Sequence, residues 1–177
     1  FVDGASVSMV GDETYKICKN TIDKIYEIEN NKLCYNLVEF YQDDGIILEP
    51  AGGLTPSCLD NIVEDYEDTQ PNQTKLNIVC ILSGGNNDLT RYNEIMDMSL
   101  NYKNLIHYFA VDFSQRPGEL KLFINNILGP SDDIIRFEYI KKSNINYGKV
   151  LIGLQVINKD DILNIETKLN NYGFIYE

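Results

Sequence analysis

The run Val79-Cys80-Ile81-Leu82-Ser83-Gly84-Gly85-Asn86-Asn87-Asp88 constrains this chain more than any other. Four apolar residues followed by Ser-Gly-Gly-Asn predict a buried strand that ends in a glycine-permitted turn, with Asp88 capping a helix from near Leu89. Such a turn aims backbone N–H groups and the Ser83 hydroxyl at whatever lies above the strand end. By itself it names no ligand, because strand-Gly-Gly-helix turns also serve purely as connections.

A second turn of this kind is Gly45-Ile46-Ile47-Leu48-Glu49-Pro50-Ala51-Gly52-Gly53. It reads as a short buried strand that ends in an acidic residue, followed by small residues that allow close backbone approach. Alternatively, Glu49 simply caps a helix from about Gly53 to Asn61. Around these turns, Phe1–Val7 reads as a strand or loop leading to a helix capped by Asp12, and Glu13 to Thr21 has helical spacing. Asp23 to Ile28 alternates like a strand, and Lys32 to Tyr41 is an amphipathic helix with a Leu33, Leu37, Val38, Tyr41 stripe. Glu64 to Thr74 is acidic, contains Pro71 and lacks periodicity, so it reads as a surface loop. Leu89 to Tyr102 carries Tyr92, Ile95, Met96 and Leu100 at helical spacing.

The chain changes character near residue 104. Ile106 to Phe113 alternates as a strand, and Arg116-Pro117-Gly118-Glu119 opens a helix with Leu120, Leu122, Phe123, Ile127 and Leu128, stopped by Gly129-Pro130. Ile134 to Lys141 and Lys149 to Val156 are strands around a polar Asn/Gly turn. A helix from Asp160-Asp161 through Leu169 ends at Gly173, before Phe174-Ile175-Tyr176. This β-α-β-β-α-β order predicts a ferredoxin-like domain over 104–177, which does not name a function by itself.

Composition narrows the field. A net charge of −12 with scattered Lys and Arg argues against nucleic acid or an anionic membrane surface as partner. No apolar run approaches a membrane span and none reads as a signal peptide, so the expected compartment is the cytoplasm. Cys18, Cys34, Cys58 and Cys80 are far apart with only His107 to assist them, which predicts buried free thiols and no metal site. The Asn72-Gln73-Thr74 sequon carries no weight in such a compartment.

Several of these stretches resemble one family. Ser83-Gly84-Gly85-Asn86 resembles the end of the last core strand in threonine dehydratases, Glu49-Pro50-Ala51-Gly52-Gly53 their Glu-Pro-Ala-Gly-Ala segment, and Phe1-Val2-Asp3-Gly4 an earlier Asp-Gly segment. Gly53 departs from the usual alanine, and Ser6 from an apolar residue. Ser114-Gln115-Arg116-Pro117-Gly118-Glu119-Leu120 looks like the Asp-Arg-Pro-Gly-x-Leu opening of ACT regulatory domains, with Gln115 where aspartate is usual. Gly129 to Tyr139 resembles the same segment in short dehydratases with a single ACT-like domain.

The resemblance implies an α/β chain in two parts. Residues 1–103 would be the C-terminal part of a tryptophan-synthase-β-like (fold type II) catalytic domain dependent on pyridoxal phosphate, and 104–177 a ferredoxin-like (ACT-like) βαββαβ regulatory domain. Ser83 would hydrogen-bond the cofactor's pyridine nitrogen, with Gly4 beside the ring and Glu49 bordering the site. A neutral hydroxyl at that nitrogen moderates the electron sink, which suits β-elimination of water. The cofactor lysine and phosphate loop of the family belong to segments absent from this sequence. None of its twelve lysines is in a matching segment, so no catalytic residue is expected in this chain and it should be inactive alone.

Three functions remain at this level: the carboxy-terminal part of a threonine ammonia-lyase, an amino-acid-binding module without catalysis, or a dimerisation piece. The first needs the missing N-terminal part of the catalytic domain as partner. In the regulatory reading two copies pair and isoleucine or valine binds beside Gln115, Arg116, Gly118 and Glu119. The N–H groups of Gly118 and Glu119 would receive an α-carboxylate at the helix opening. Glu138 and Asn126 of a partner are candidates for the ammonium, and Phe137 for the apolar side chain. Leu120 and Phe123 read rather as domain core.

Overall fold

The computed structural model of the chain describes residues 1–70, 75–141 and 146–177. Pro71, the sequon at 72–74 and residues 142–145 of the expected Asn/Gly turn lie outside these. The chain divides into two compact units, Phe1–Tyr102 and Lys103–Glu177.

The second unit is built on alternation. Strands β1 (Ile106–Ser114), β2 (Asp133–Tyr139), β3 (Tyr147–Gln155) and β4 (Ile175–Tyr176) form one sheet in the order β2-β3-β1-β4, with every neighbouring pair antiparallel. Helices α6 (Glu119–Asn126) and α7 (Asp161–Asn171) complete the β-α-β-β-α-β order of a ferredoxin-like domain. In β1 the odd residues Phe109, Val111 and Phe113 are buried, and in β3 the even residues Val150, Ile152 and Leu154, as a period of two demands. A register shift between Ile134 and Arg136 inserts one residue into β2, so Ile134 and Phe137, three apart, both pack on the core.

Phe113 lies at the centre of that core, with ring centroids 5.3 Å from Phe123, 5.4 Å from Phe174 and 5.6 Å from Tyr139. Aromatic pairs at such separations add about 0.5–1.5 kcal/mol each to their apolar burial. On the opposite face Gly153 is required by its neighbours: a Cβ there would stand 2.7 Å from Tyr108 Cε1 and 2.9 Å from Arg136 Cβ. Helix α7 ends where Gly173 takes φ +75°, a conformation that costs glycine nothing.

The first unit is helical. It contains α1 (Asp12–Thr21), α2 (Asn30–Asp44), α3 (Leu54–Ser57), α4 (Leu59–Thr69) and α5 (Tyr92–Tyr102), with single 3-10 turns at Asp3–Ala5 and Leu89–Arg91. Its core joins α2 and α5 through Leu33, Cys34, Leu37, Val38 and Ile95, and adds Leu48. Helix α2 ends in a Schellman motif: Gly45 sits at φ +69°, its N–H donates to Tyr41 O, and Ile46 N–H donates to Phe40 O, both at 3.1 Å. Burial raises the Cys34 thiol to about 12, and its Sγ lies 3.6 Å from Met98 Sδ, so it behaves as a small apolar side chain.

Several expectations for this unit are corrected. Asp23–Ile28, Ile46–Leu48 and Val79–Leu82 belong to no strand, and Val79 is 88% exposed. A strand needs a neighbour to satisfy its N–H and C=O groups, and the described residues of this unit form no sheet. Residues 64–69 are the second half of α4 rather than a loop. Asp12 is the first residue of α1, and Gly11 holds the cap position. Tyr41 of the expected stripe is exposed. Of the cysteines only Cys34 is buried, while Cys18, Cys58 and Cys80 are half-buried.

Among the described residues, no helix is long and apolar enough to cross a membrane. No group of three His, Cys, Asp or Glu side chains there could hold a metal ion.

Candidate functional site

Three turns of the first unit converge, and glycine lets them do so. The Glu49 turn is closed by Gly53 N–H donating to Glu49 O at 3.2 Å, and Glu49 N–H donates to Gly84 O at 3.0 Å. Asn87 Nδ2 donates to Leu48 O at 2.9 Å. A Cβ on Gly52 would lie 1.5 Å from Ser83 O, and one on Gly84 would lie 2.2 Å from Glu49 Oε1. Gly84 also takes φ +75°. No side chain fits at either position without moving the backbone of the other turn or the Glu49 carboxylate.

The third turn, Asp3–Ala5, approaches Ala51, to whose Cβ a Cβ on Gly4 would come within 3.1 Å. Together they enclose a pocket of about 310 Å³, lined by Asp3, Gly4, Glu49, Pro50, Ala51, Asn86, Asn87, Asp88 and Arg91. Gly4 and Glu49 thus meet at one site. Ser83 does not line it: the residue is exposed, with its backbone against Gly52.

Asp88 fulfils the capping role the sequence predicts. Its Oδ1 accepts from Thr90 N at 2.9 Å and from Thr90 Oγ1 at 2.8 Å. These bonds, the backbone N–H first, hold its carboxyl below the ordinary carboxylate range. The sequence reading missed Asn86, Asn87 and Arg91. The amides follow Gly84-Gly85 directly and could have been taken with Ser83, whereas a lone arginine carries no signal in a single sequence.

In the second unit, Gly118 sits at φ +96° immediately before α6, with open space where its Cβ would be, and its C=O accepts from Leu122 N–H at 2.9 Å. Arg116 is exposed, and its N–H donates to Ser114 Oγ at 3.3 Å. Gln115 N–H donates to Asn146 O at 2.9 Å, and its side-chain amide lies over Gly148. Glu119 is half-buried in the first turn of α6. A shallow concavity of about 410 Å³ beside this loop is lined by Gly118, Leu120, Lys121, Ile124 and Asn125.

The other named residues of this unit stand elsewhere. Asn126 closes the far end of α6, about 12 Å away for eight helical residues. There its Nδ2 donates to Leu122 O and its Oδ1 accepts from Tyr172 OH. Phe137 packs into the core, while Glu138 is exposed on the other face, paired with Arg136 at 2.6 Å. Consecutive strand residues cannot serve one ligand from the same chain. Phe123 is core, and Leu120 packs against it.

The second unit is thus a four-stranded antiparallel sheet with two helices and a glycine-opened loop before the first of them. The family model for the C-terminal regulatory domain of threonine dehydratase matches residues 98–177.

Across both units the chain is similar to threonine dehydratases. It is 43% identical over 172 residues, 97% of its length, to biosynthetic L-threonine dehydratases IlvA of Staphylococcus aureus strains bovine RF122 / ET3-1 and NCTC 8325 / PS 47. It is 43% identical over 169 residues to that of Staphylococcus epidermidis strain ATCC 35984. The chain spans 38–39% of the length of these relatives and corresponds to their carboxy-terminal part.

Proposed function

We propose that this chain works as the carboxy-terminal portion of a pyridoxal-phosphate-dependent L-threonine ammonia-lyase, which converts threonine to 2-oxobutanoate and ammonia in isoleucine biosynthesis. Residues 1–103 complete a fold type II catalytic domain, and 104–177 form an ACT-like domain that senses isoleucine or valine. The observation that carries this reading is the regulatory-domain match over 98–177, in a chain whose similarity to the relatives runs through both units.

The cofactor pocket is the one where Gly4 and Glu49 meet. Its residues fit a flat, polar-edged ring: Gly4 and Ala51 keep the wall low, Asn86 and Asn87 offer amides, and the volume is about 310 Å³. When bound, pyridoxal phosphate supplies the electron sink for loss of the α-proton and the β-hydroxyl. Gly4 would leave room beside the ring and Glu49 would border the reacting end, while Ser83, on the turn next to the pocket but not among its lining residues, would have to turn its hydroxyl inward to give the ring nitrogen a neutral hydrogen bond. No lysine lines the pocket; the Schiff-base lysine comes from the remaining part of the catalytic domain. That part also covers Val79, Ile81 and Ile47, which are exposed here.

In the regulatory domain two copies pair, as in a cytoplasmic homo-oligomer, and the effector's α-carboxylate binds the N–H groups at Gly118 and Glu119. The positive end of α6 and the open space at Gly118 support this placement. Glu138 and Asn126 can contribute to the same ligand only from the partner copy. Binding biases activity by no more than the ligand's difference in affinity between two states.

Two measurements test the reading. In the intact enzyme Ser83→Ala should reduce turnover far more than stability; unchanged turnover removes Ser83 from the site. Calorimetric titration of the chain with isoleucine and valine, beside Gly118→Val, tests the sensor. Absence of heat at millimolar effector in a folded sample favours the second reading, a domain that only dimerises.

A further inference from the structure

Arg91 was not singled out by the sequence, and the guanidinium is used on every edge. Its Nη2 donates to Phe1 O at 2.8 Å, Nη1 pairs with Asp3 Oδ2 at 3.3 Å, and Nε faces Glu94 Oε2 at 3.5 Å. The flat face lies over the Phe1 ring, 4.5 Å from its centroid. Three-quarters of the side chain is buried.

The placement of these contacts gives them a purpose. The Glu49 and Ser83–Asp88 turns are joined to each other by backbone and amide hydrogen bonds, Glu49 N–H to Gly84 O and Asn87 Nδ2 to Leu48 O. The Asp3–Ala5 turn makes no such bond to either among the described residues. Its polar attachment runs through Arg91, about ninety residues away along the chain. Arg91 is itself fixed by Asp88, whose C=O accepts from Arg91 N–H at 3.0 Å. One side chain therefore ties the turn carrying Gly4 to the turn that follows Ser83.

We infer that Arg91 is the positioning residue that holds the Asp3–Gly4 turn as a wall of the 310 Å³ pocket. The inference rests on the proposed reading only in taking that pocket as the pyridoxal phosphate site. A guanidinium suits the task because three donors diverge in one plane whose face stacks on an aromatic ring; an ammonium can reproduce the charge but neither the fork nor the stack. Arg91 itself also lines the pocket, but its inferred role is to hold the turn that carries Gly4, and it moves no proton.

The experiment uses the intact dehydratase carrying this chain, with Arg91→Gln, Arg91→Met, Arg91→Lys and Asp3→Asn. In the cofactor-free protein, exchange of the Ala5 and Ser6 amides, which close the 3-10 turn on Val2 O and Asp3 O, should speed up about tenfold in Arg91→Gln and Arg91→Met, because charge-assisted bonds are lost. Arg91→Lys should recover part of this, and the Val150–Leu154 amides should be unaffected. Pyridoxal phosphate titrated into the same proteins, followed by its absorbance, should bind about tenfold more weakly to Arg91→Gln, with an intermediate loss for Arg91→Lys. Wild-type exchange in Arg91→Met would overturn the inference by showing that only the aliphatic stem matters. If the Arg91 variants do not fold, Asp3→Asn decides: faster Ala5 and Ser6 exchange supports the inference, and wild-type exchange overturns it. The two readouts separate the two ideas. Faster Ala5 and Ser6 exchange with unchanged pyridoxal phosphate affinity in Arg91→Gln removes the pocket reading, while the exchange data still decide what Arg91 holds.

Discussion

Val150–Leu154 and Val79–Leu82 are apolar runs of the same chain with opposite fates. The first lies between β1 and β2, pairs with both, and buries Val150, Ile152 and Leu154 completely. The second joins no sheet and leaves Val79 and Ile81 exposed. Nothing in their composition separates them. The difference lies in what else the chain supplies: Lys103–Glu177 contains four strands and two covering helices, whereas Phe1–Tyr102 contains helices and turns whose strand-like runs have no neighbours. The lower half closes on itself, and the upper half is organised by glycine contacts between turns.

The sharpest way to break this contrast is hydrogen exchange. Amides of Val150, Ile152 and Leu154 should exchange about a thousandfold or more slowly than those of Val79–Leu82, since the former open only with their unit and the latter have no ladder to open. Equal protection in the two runs would mean that the upper one has found a partner strand.

Next in size is Phe113→Ala, which removes the ring at the centre of the aromatic cluster. It should cost about 3–5 kcal/mol and unfold Lys103–Glu177 at much lower denaturant, measured by near-ultraviolet dichroism. Loss of the α2–α5 core in the same experiment would show that the halves do not unfold as separate units.

A glycine pair sharpens the comparison further. Gly84 and Gly118 both have positive φ, but a Cβ at Gly84 meets the Glu49 carboxylate while one at Gly118 meets open space. Gly84→Ala should therefore destabilise by about 1–3 kcal/mol, with Gly118→Ala nearer the low end of that range. The reverse order in thermal melts would refute the turn contacts.

The smallest effect is the acid limb. The Thr90 N–H holds the Asp88 carboxyl below its ordinary range, and the Lys24 ammonium, followed by the Tyr26 hydroxyl, does the same for Asp65. A group depressed in the folded state stabilises above its unfolded pKa, about 3.9 for Asp, and that contribution is lost as pH falls further through the folded value. Melting temperature of the upper half should thus fall below about pH 4, and Asp88→Asn should flatten the decline. An unchanged profile in that variant would remove the cap from the account.

Much of the lower half was legible because its information is local. Alternation in β1 and β3, Pro117-Gly118 before α6 and Gly173 after α7 each act within a few residues, and a ferredoxin-like order has few ways to pair. The bulge at Ile135 was not legible, since one inserted residue leaves the alternation ambiguous. In the upper half the Asp88 cap and the α2 stripe were readable for the same reason. The pocket was only half readable: Gly4 and Glu49 were named, whereas Arg91 and the amides of Asn86 and Asn87 join it by folding.

The sequence by itself determined that α6 opens after Pro117-Gly118 and α7 ends at Gly173, the order of elements in the second unit and the family whose segments this chain resembles. Those features depend on backbone preferences and on periodicity, which are properties of neighbouring residues. Only the tertiary structure decided that Val79–Leu82 stays outside any sheet, that Phe137 and Glu138 face opposite ways, and that Arg91 reaches back to Phe1 and Asp3. These depend on which distant segments are present to accept a hydrogen bond or cover an apolar face, and no local rule carries that information.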